Sequence, residues 1–515
     1  MINLKINNIS VQVETGETLL QAARKAGIAI PTMCHDDNLE HFTSCQVCLV
    51  KDQNSGKLYP ACSARAIENM DIVTGDEEVT EARKTALELL LSEHVGDCEA
   101  PCRIACPAFM DIPQMNRLIA SGKFDRALDV VMKDIALPGV MGRICPAPCE
   151  NACKRKPIDQ AVSICLLKRL VADETPVKPT FIKGNPTGKK VAIIGSGPGG
   201  LAAAFYLQLK GVQAVIFDKN ELPGGALQYG VPDDMLDKKT LNKEIALILE
   251  QGVQFVQNRA IDKIGFQKLR EEYDAVVLAT GTHDGSLNDW ELAYNDKQII
   301  VNKKTYQTNL DRVFAVGNLT LTTRMAIRSA AQGKEVAVAI DQLFRGETMT
   351  GETRIFNSTV GRLYAEEFAE YLKEANKDLR YTPAIQGAGF DPDIARIEAA
   401  RCMYCDCRDA DGCKLREYSE MYQASKKRFV FTDRKPVKKY IQQNLIIYEP
   451  GKCIKCGICV RLTTKHQEEF GFTYIGRGFD VEISVPFNKN LDVALAKTAR
   501  IVAQACPTGA LEELK

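Results

Sequence analysis

The cysteines constrain this chain more than any other feature of its sequence. There are 19 in 515 residues, and none lies between Cys165 and Cys402. In a reducing compartment, clustered cysteines bind metal or perform chemistry more often than they form disulfides. With His94, they supply twenty candidate ligands, enough for five four-ligand sites. The four blocks are Cys34, Cys45, Cys48 and Cys62; Cys98, Cys102, Cys106, Cys145, Cys149, Cys153 and Cys165; Cys402, Cys405, Cys407 and Cys413; and Cys453, Cys456, Cys459 and Cys506.

Composition narrows the class of protein. The length predicts roughly three to five domains. Basic and acidic residues balance at 66 each, which does not favour nucleic acid or an anionic membrane as the main partner. The first residues lack the apolar run of a signal peptide, and no apolar run is long enough to span a membrane. The sequence therefore predicts a cytoplasmic protein without direct membrane insertion.

Residues 94–107, HVGDCEAPCRIACP, place His94, Cys98, Cys102 and Cys106 four residues apart. This spacing fits either metal ligands or one buried face of a helix, since residues i and i+4 are neighbours on a helix. The prolines at 101 and 107 argue against a continuous helix and favour the ligands.

Residues 1–80 predict a small β-rich domain, because MINLKINNISVQV alternates apolar and polar residues and a helix follows Gly16. Its cysteines have the spacing C-x10-C-x2-C-x13-C. The region resembles the amino-terminal β-grasp domain of the iron–sulfur subunits of respiratory complex I and of NAD-reducing hydrogenase diaphorases. The resemblance implies a [2Fe–2S] cluster on Cys34, Cys45, Cys48 and Cys62, with a zinc site as the alternative.

Residues 81–185 resemble the helical domain of the glutamate synthase small subunit and of dihydropyrimidine dehydrogenase, through CRIACPAFMDIPQMN and GRICPAPCENAC. The resemblance implies two [4Fe–4S] clusters. One would use His94, Cys98, Cys102 and Cys153, and the other Cys106, Cys145 and Cys149. The family has Glu or Gln near the position of Lys168, a poor iron ligand, so Cys165, one helical turn earlier, is the expected fourth ligand. The alternative for Cys165 is a small buried apolar residue.

Residues 186–352 begin with a strand, a glycine-rich turn and a helix. Gly195, Gly197 and Gly200 form G-x-G-x-x-G, the fingerprint of a dinucleotide-binding Rossmann fold, and Asp218 ends the next strand. A Rossmann domain without catalytic function is the alternative. LPGGALQYGVP, EYDAVVLATG and LDRVFAVGN resemble the glutamate synthase small subunit. The resemblance implies FAD, with contacts from Gly225, Gly281, Gly317 and Asn318, where Asn318 replaces the usual aspartate.

The same resemblance reveals a deletion. In the family, a separate NADPH-binding domain follows the ATG segment. Here roughly 20 residues join Gly281 to the next strand, whereas a βαβ unit needs about 30. We therefore expect an FAD domain without a nicotinamide site.

Two cysteine groups follow. Residues 353–440 predict a helical linker with the pattern C-x2-C-x-C-x5-C, which suits a [4Fe–4S] cluster or zinc on Cys402, Cys405, Cys407 and Cys413. Residues 441–515 resemble a ferredoxin-like domain. Its surviving ligands form one complementary [4Fe–4S] set, Cys453, Cys456, Cys459 and Cys506.

The sequence thus predicts a multidomain protein of mixed α+β and α/β class. It resembles a diaphorase-type iron–sulfur subunit with an inserted glutamate-synthase-like flavin module. The resemblance implies an oxidoreductase subunit that relays electrons between an NADH-binding flavoprotein and a hydrogenase, formate dehydrogenase or ferredoxin, with FAD as a junction that could bifurcate electrons. The alternatives are a self-sufficient NAD(P)H-dependent reductase and a zinc-bound assembly scaffold. The cofactors expected are FAD, one [2Fe–2S] and three to four [4Fe–4S] clusters.

Overall fold

The computed structural model describes the chain except residues 176–180, 283–284, 286, 288, 296–297, 322, 384–386, 430–433, 443–444 and 515, and the side chain of residue 479. The fold divides into two compact units. Unit 1 comprises Met1–Glu99, Ile355–Lys373 and Cys405–Lys515. Unit 2 comprises Ala100–Arg354 and Glu374–Tyr404. Each unit therefore gathers segments that are distant in the sequence.

The strands are β1 (Ile2–Ile6), β2 (Ile9–Val13), β3 (Leu49–Asp52), β4 (Lys57–Pro60), β5 (Asp71–Val73), β6 (Lys190–Ile194), β7 (Gln213–Phe217), β8 (Gln254–Val256), β9 (Ala275–Leu278), β10 (Tyr294–Asn295), β11 (Gln298–Ile299), β12 (Val313–Ala315), β13 (Tyr440–Gln442), β14 (Ile446–Tyr448), β15 (Thr473–Ile475), β16 (Glu482–Ser484) and β17 (Leu511–Glu513).

The helices are α1 (Leu19–Lys25), α2 (Glu77–Glu93), α3 (Pro101–Ala105), α4 (Ile112–Ala120), α5 (Phe124–Met132), α6 (Pro138–Ile144), α7 (Pro148–Asn151), α8 (Ile164–Glu174), α9 (Pro198–Leu209), α10 (Ala226–Tyr229), α11 (Lys238–Leu249), α12 (Lys263–Glu272), α13 (Ala326–Phe344), α14 (Phe368–Tyr371), α15 (Pro392–Ala399), α16 (Lys414–Met421), α17 (Ile458–Lys465), α18 (Leu491–Ala494) and α19 (Ala499–Ala505).

Unit 1 begins with a five-stranded sheet in the order β2-β1-β5-β3-β4. Alternate residues of β1 and β2 are buried, as the alternating sequence predicts. Helix α1 begins after Thr18, whose hydroxyl accepts a hydrogen bond from the backbone N–H of Gln21, while the Gln21 side chain accepts one from the Thr18 backbone. This capping box satisfies free amides at the helix start.

The carboxy-terminal part of unit 1 has a three-stranded antiparallel sheet, β13-β14-β17, and a ribbon formed by β15 and β16. The apolar core of this region joins side chains of α2, α17 and α19 with those of the sheet. Cysteines of the first, third and fourth blocks belong to the same core. Residues far apart in the sequence therefore pack together within unit 1.

Unit 2 contains a five-stranded sheet in the order β12-β9-β6-β7-β8, in which every neighbouring pair is parallel. Helix α9 is almost entirely buried and packs against α13. The approach is close, because a Cβ at Gly333 of α13 would overlap the carbonyl oxygen of Gly199 in α9. The α/β class predicted for this region is confirmed, whereas the β-grasp and ferredoxin-like assignments stay predictions.

The rest of unit 2 is helical and includes α3 to α8 and α15. Between β9 and β12, the described residues form only the two-stranded ribbon β10-β11. In the part of the chain that the structure describes, no helix combines the length and apolar character required to cross a bilayer.

Candidate redox centres

The first cysteine block forms a tight group in unit 1. Cys34, Cys45, Cys48 and Cys62 are all buried. The Cys34 thiol forms side-chain hydrogen bonds with Cys45 and Cys62, which hold its pKa below the ordinary value. Cys48 forms one with Cys62, which likewise lowers the pKa of Cys48. Four converging soft thiols suit an iron–sulfur cluster, which is bound by thiolates.

The fourth block forms a second group in unit 1. Cys453, Cys456, Cys459 and Cys506 line one small cavity. Burial raises the pKa of Cys453 to about 11. The backbone N–H of Lys455 donates to the Cys453 sulfur at 3.3 Å. The four cysteines are therefore close enough to one another to be compatible with a single [4Fe–4S] cluster. That they bind one stays a prediction.

Arg461 lies between these two groups. Its guanidinium donates to the backbone carbonyl oxygens of Cys34, at 3.1 Å, and of Cys456, at 3.4 Å. The charge of Cys34 also contributes to the raised pKa of Cys456, although burial is the main cause. The first and fourth blocks are therefore neighbours in unit 1, which no local spacing in the sequence indicates.

The third group in unit 1 combines the second and third blocks. The backbone N–H of Cys407 donates to the carbonyl oxygen of Cys98 at 3.1 Å. Burial raises the pKa of the Cys98 thiol, and the charge of Cys407 raises it further. Burial is also the main cause that raises the pKa of Cys413, and the charge of Cys98 raises it further. The three thiols are thus electrostatic neighbours.

His94 is the C-cap residue of α2 in unit 1. Its Nδ1 is buried and has no hydrogen-bond partner among the described residues. Burial, followed by the positive charges of Lys426 and Lys452, lowers the pKa of His94 to about 3. The imidazole is therefore neutral at neutral pH, which is the form that binds metal.

A fourth group lies in unit 2 and contains Cys106, Cys145, Cys149 and Cys165. The Cys165 thiol forms side-chain hydrogen bonds with both Cys145 and Cys149. Burial lowers the pKa of Lys168, but the charges of all four cysteines raise it to a net value above its ordinary one. The Lys168 ammonium lies 4.0 Å from the Cys165 sulfur. Cys165 thus lies where the sequence expects it, and its role as a ligand stays a prediction.

A fifth group in unit 2 includes Cys402 and Cys153. Burial is the main cause that raises the pKa of Cys402 to about 11. The charge of Cys153 also raises this pKa, whereas a side-chain hydrogen bond with Asn116 lowers it. Two buried arginines hold the neighbouring backbone: Arg155 donates to the carbonyl oxygen of Arg401 at 2.5 Å. Cys402 and Cys153 are therefore electrostatic neighbours within unit 2, and the predicted set of Cys402, Cys405, Cys407 and Cys413 stays a prediction. Cys102, in α3, belongs to the same unit.

No group of three or more His, Cys, Asp or Glu side chains, in the ranges that the structure describes, is arranged to hold a metal ion. What supports clusters is the chemistry of the thiols, which are soft, largely buried and gathered in groups. Cys405 lies near Tyr371 in unit 1, since its charge contributes, after burial, to the raised pKa of that tyrosine.

A large cavity in unit 2 lies over the glycine-rich turn. The turn is constrained as the fingerprint requires, because a Cβ at Gly200 would overlap the carbonyl oxygen of Gly195. Gly197 is the N-cap of α9, which directs free backbone amides at the cavity. Asp218 accepts hydrogen bonds from the N–H and hydroxyl of Ser196, at 2.8 and 2.5 Å.

The other predicted flavin contacts line the same cavity. Gly225, Gly281 and Gly317 have φ angles of 54°, 94° and 75°, in the left-handed region that favours glycine. The Asn318 Oδ1 atom is buried and has no partner among the described residues. A bound group with a hydroxyl, such as FAD, would satisfy this acceptor. The residues present therefore fit a flavin dinucleotide.

Cys145 and the proline that follows it also line the flavin cavity. A candidate cluster ligand and the candidate flavin site thus share one wall. Sequence spacing does not predict this contact, because α6, which ends at Ile144, and the glycine-rich turn are separate segments. The only sequence signal was the resemblance to families that hold both groups.

Three family models match successive parts of the chain. Residues 1–77 match the family described as "2Fe-2S iron-sulfur cluster binding domain". Residues 76–179 match "Dihydroprymidine dehydrogenase domain II, 4Fe-4S cluster". Residues 189–288 match "Pyridine nucleotide-disulphide oxidoreductase". The chain combines iron–sulfur and flavin-type oxidoreductase domains. The predicted combination is confirmed.

Curated relatives point the same way. The chain is 34% identical over 48% of its length to NADPH-Fe(3+) oxidoreductase subunit beta of Geobacter sulfurreducens, covering 36% of that protein. It is 38% identical over 36% of its length to the glutamate synthase [NADPH] small chain of Bacillus subtilis, covering 40% of it. It is 36% identical over 36% of its length to NADP(+)-dependent formate dehydrogenase subunit beta of Moorella thermoacetica, covering 30% of it.

The chain spans less than half the length of each of these relatives. Among solved structures, an NAD+-reducing [NiFe]-hydrogenase matches 18% of this chain and 39% of that chain at 29% identity, with a TM-score of 0.17. Each of these similarities covers only part of the molecule.

Proposed function

We propose that this chain is an electron-transfer subunit of a multi-subunit flavin and iron–sulfur oxidoreductase. The observation that carries the proposal is the shared wall in unit 2, where Cys145 and the glycine-rich turn line one cavity. Electrons pass between centres that lie close together, and this arrangement brings a cluster ligand to the flavin. The curated relatives, which are named as subunits of oxidoreductases, support the same class.

The residues of unit 2 hold the flavin by distinct means. The amides at the start of α9 would bind its pyrophosphate, and the glycines of the turn would let the backbone approach it. Asp218, which accepts two hydrogen bonds from Ser196, would hold a ribose hydroxyl, and Asn318 would supply a further acceptor. When bound, FAD exchanges two electrons with one partner and single electrons with another. Apolar lining such as Leu227 and Trp290 limits water in the cavity.

Unit 1 provides a relay of its own. The Cys34 and Cys456 groups share the Arg461 guanidinium through their carbonyl oxygens. This contact fixes the distance between two centres and places a positive charge beside both. Charge and hydrogen bonding near a cluster tune its reduction potential. Arg461 therefore positions the pair and adjusts their potentials.

NADH reduces the flavin of this chain through a partner protein that binds the nicotinamide. Hydride transfer requires the nicotinamide ring held against the flavin, and between β9 and β12 the described residues provide only the ribbon β10-β11. The partners proposed are an NADH-binding diaphorase-type flavoprotein and a terminal hydrogenase, formate dehydrogenase or ferredoxin. A self-sufficient NAD(P)H-dependent reductase is the rival function.

Anaerobic stopped-flow spectroscopy of the purified, flavin-loaded chain tests the proposal. We expect dithionite to bleach the flavin and NADH or NADPH to bleach it slowly. Addition of a diaphorase-type partner should accelerate bleaching by NADH. Fast, saturable bleaching by NADH or NADPH without a partner would establish the self-sufficient reductase instead.

A further inference from the structure

We propose that one [4Fe–4S] cluster in unit 1 is held by His94, Cys98, Cys407 and Cys413. Its ligands would come from two segments on either side of the whole flavin module. That the centre is an iron–sulfur cluster rests on the proposed function. The choice of ligands rests on contacts within unit 1.

The Cys98 segment is fixed on one side by residues 357–360. The backbone N–H of Cys98 donates to the carbonyl oxygen of Ser358 at 3.1 Å, and the N–H of Ser358 donates to the Cys98 sulfur at 3.3 Å. Asp97 accepts a hydrogen bond from the N–H of Val360 at 2.7 Å. The Cys98 sulfur therefore accepts a backbone hydrogen bond, and hydrogen bonds to ligand sulfurs are among the features that set the reduction potential of an iron–sulfur cluster.

The Cys407–Cys413 segment is fixed to the Cys98 segment by two contacts. One is the 3.1 Å hydrogen bond from the Cys407 N–H to the Cys98 carbonyl oxygen. The other is a buried ion pair between Glu99 and Arg416, at 2.5 Å. Arg416 also donates to the carbonyl oxygen of Ala410, at 3.1 Å, inside the loop that joins the two cysteines. These contacts hold the three thiols in one region.

Room for the Cys407 sulfur is provided by a third segment. A Cβ at Gly509 would overlap that sulfur, so a side chain there would displace it. The N–H of Lys414, next to Cys413, donates to the carbonyl oxygen of Pro507 at 3.0 Å. Residues 507–509 therefore shape the space around Cys407 and orient the start of α16.

His94 completes the set. Its buried Nδ1 lacks a partner among the described residues, which an iron atom would supply. Lys452 lies near both His94 and the thiols. Its side chain and the His94 ring both lie beside Gly96, and among charged groups Cys407 has the largest effect on the Lys452 pKa. Lys426 is likewise an electrostatic neighbour of both His94 and Cys98.

This grouping differs from the two that spacing indicates. Sequence resemblance groups His94 and Cys98 with Cys102 and Cys153, whereas the Cys98 backbone contacts described above are with Ser358 and Cys407. Spacing groups Cys407 and Cys413 with Cys402 and Cys405, whereas the cysteine that affects the pKa of Cys402 is Cys153 of unit 2. The proposed set takes all four ligands from unit 1.

Iron counting on double variants tests the grouping in the anaerobically prepared full chain. Cys98→Ala and Cys407→Ala should each remove ~4 iron atoms, the content of one [4Fe–4S] cluster. Because both serve one cluster, the C98A/C407A double variant should lose the same number. The matched control C98A/C153A should lose about twice as many, since its residues serve different clusters. If C98A/C407A loses as much as C98A/C153A, the shared cluster is overturned.

Pulsed electron paramagnetic resonance provides a second measurement that needs no cysteine deletion. Chain labelled with 15N-histidine should show a directly coordinated 15N coupling in one reduced cluster. His94→Cys should retain the full iron content and abolish the coupling, because a thiolate replaces the imidazole. Absence of the coupling in the unsubstituted chain, or its persistence in H94C, would overturn His94 as the ligand. Normal total iron together with either result would leave the electron-transfer function intact.

Discussion

The Cys34 group and the group around Cys98 are both candidate cluster sites of unit 1, but their ligands come from different arrangements of the sequence. The Cys34 group draws its thiols from one short stretch of sequence. The Cys98 group draws on residues that lie on both sides of the flavin module, and its space depends on Gly509. Spacing alone indicates the Cys34 group, whereas the grouping of Cys98 with Cys407 depends on contacts that only the folded chain makes.

The largest effect is expected in unit 2, where the glycine-rich turn is also a local feature. Gly200→Ala should reduce the bound FAD per chain at least tenfold, because its Cβ would overlap the Gly195 carbonyl oxygen and displace the turn. The flavin released on denaturation measures this. Gly75→Ala is the control, since its Cβ would meet no atom within 4 Å. Full FAD in G200A would show that the turn does not hold the dinucleotide.

The next prediction probes the non-local centre. Gly509→Ala should remove ~4 iron atoms, one [4Fe–4S] cluster, because the new Cβ occupies the space of the Cys407 sulfur. Iron and FAD analysis of the same sample checks it, with the [2Fe–2S] signal and FAD expected to be unchanged. G75A is again the control. Full iron content in G509A would argue against a cluster at Cys407.

A third prediction concerns the cysteine group beside the flavin. Cys165→Ser should abolish or alter one [4Fe–4S] signal in electron paramagnetic resonance, because the Cys165 thiol contacts both Cys145 and Cys149. The [2Fe–2S] signal, which is assigned to the Cys34 group of unit 1, should stay the same. An unchanged spectrum would make Cys165 a buried apolar residue.

The smallest effect concerns pH. Burial raises the pKa of Glu244 to about 7, although it accepts hydrogen bonds from the N–H groups of Gly139 and Val140. The folded state therefore holds a proton that the unfolded state loses near pH 4.5. This group's contribution to stability is full below that pH and falls as pH rises to about 7, by up to about 3 kcal/mol.

Calorimetry of the chain and of Glu244→Gln at pH 5 and pH 8 measures this effect. The glutamine side chain resembles the protonated carboxyl, so the unsubstituted chain should lose stability relative to the variant as pH rises. A difference between the two proteins that does not change with pH would contradict the raised pKa.

The local features of this protein could be predicted from its amino-acid sequence. Alternation predicted β1 and β2, the glycine fingerprint predicted the parallel-sheet domain, and spacing identified the Cys34 group. Each depends on residues that are near one another in the chain, where backbone geometry and side-chain periodicity act directly. The same holds for the helix that begins after Thr18, because its cap lies within one turn.

The contacts between residues far apart in the sequence became visible only in the folded chain. It placed Cys98 with Cys407, Cys402 with Cys153, and Cys145 against the flavin cavity. These contacts arise when separate segments bury apolar surface together, and such packing is not encoded in any local spacing. The roles of Arg461 and Gly509 depend on partners far away in the sequence, so neither residue stands out until the chain is folded.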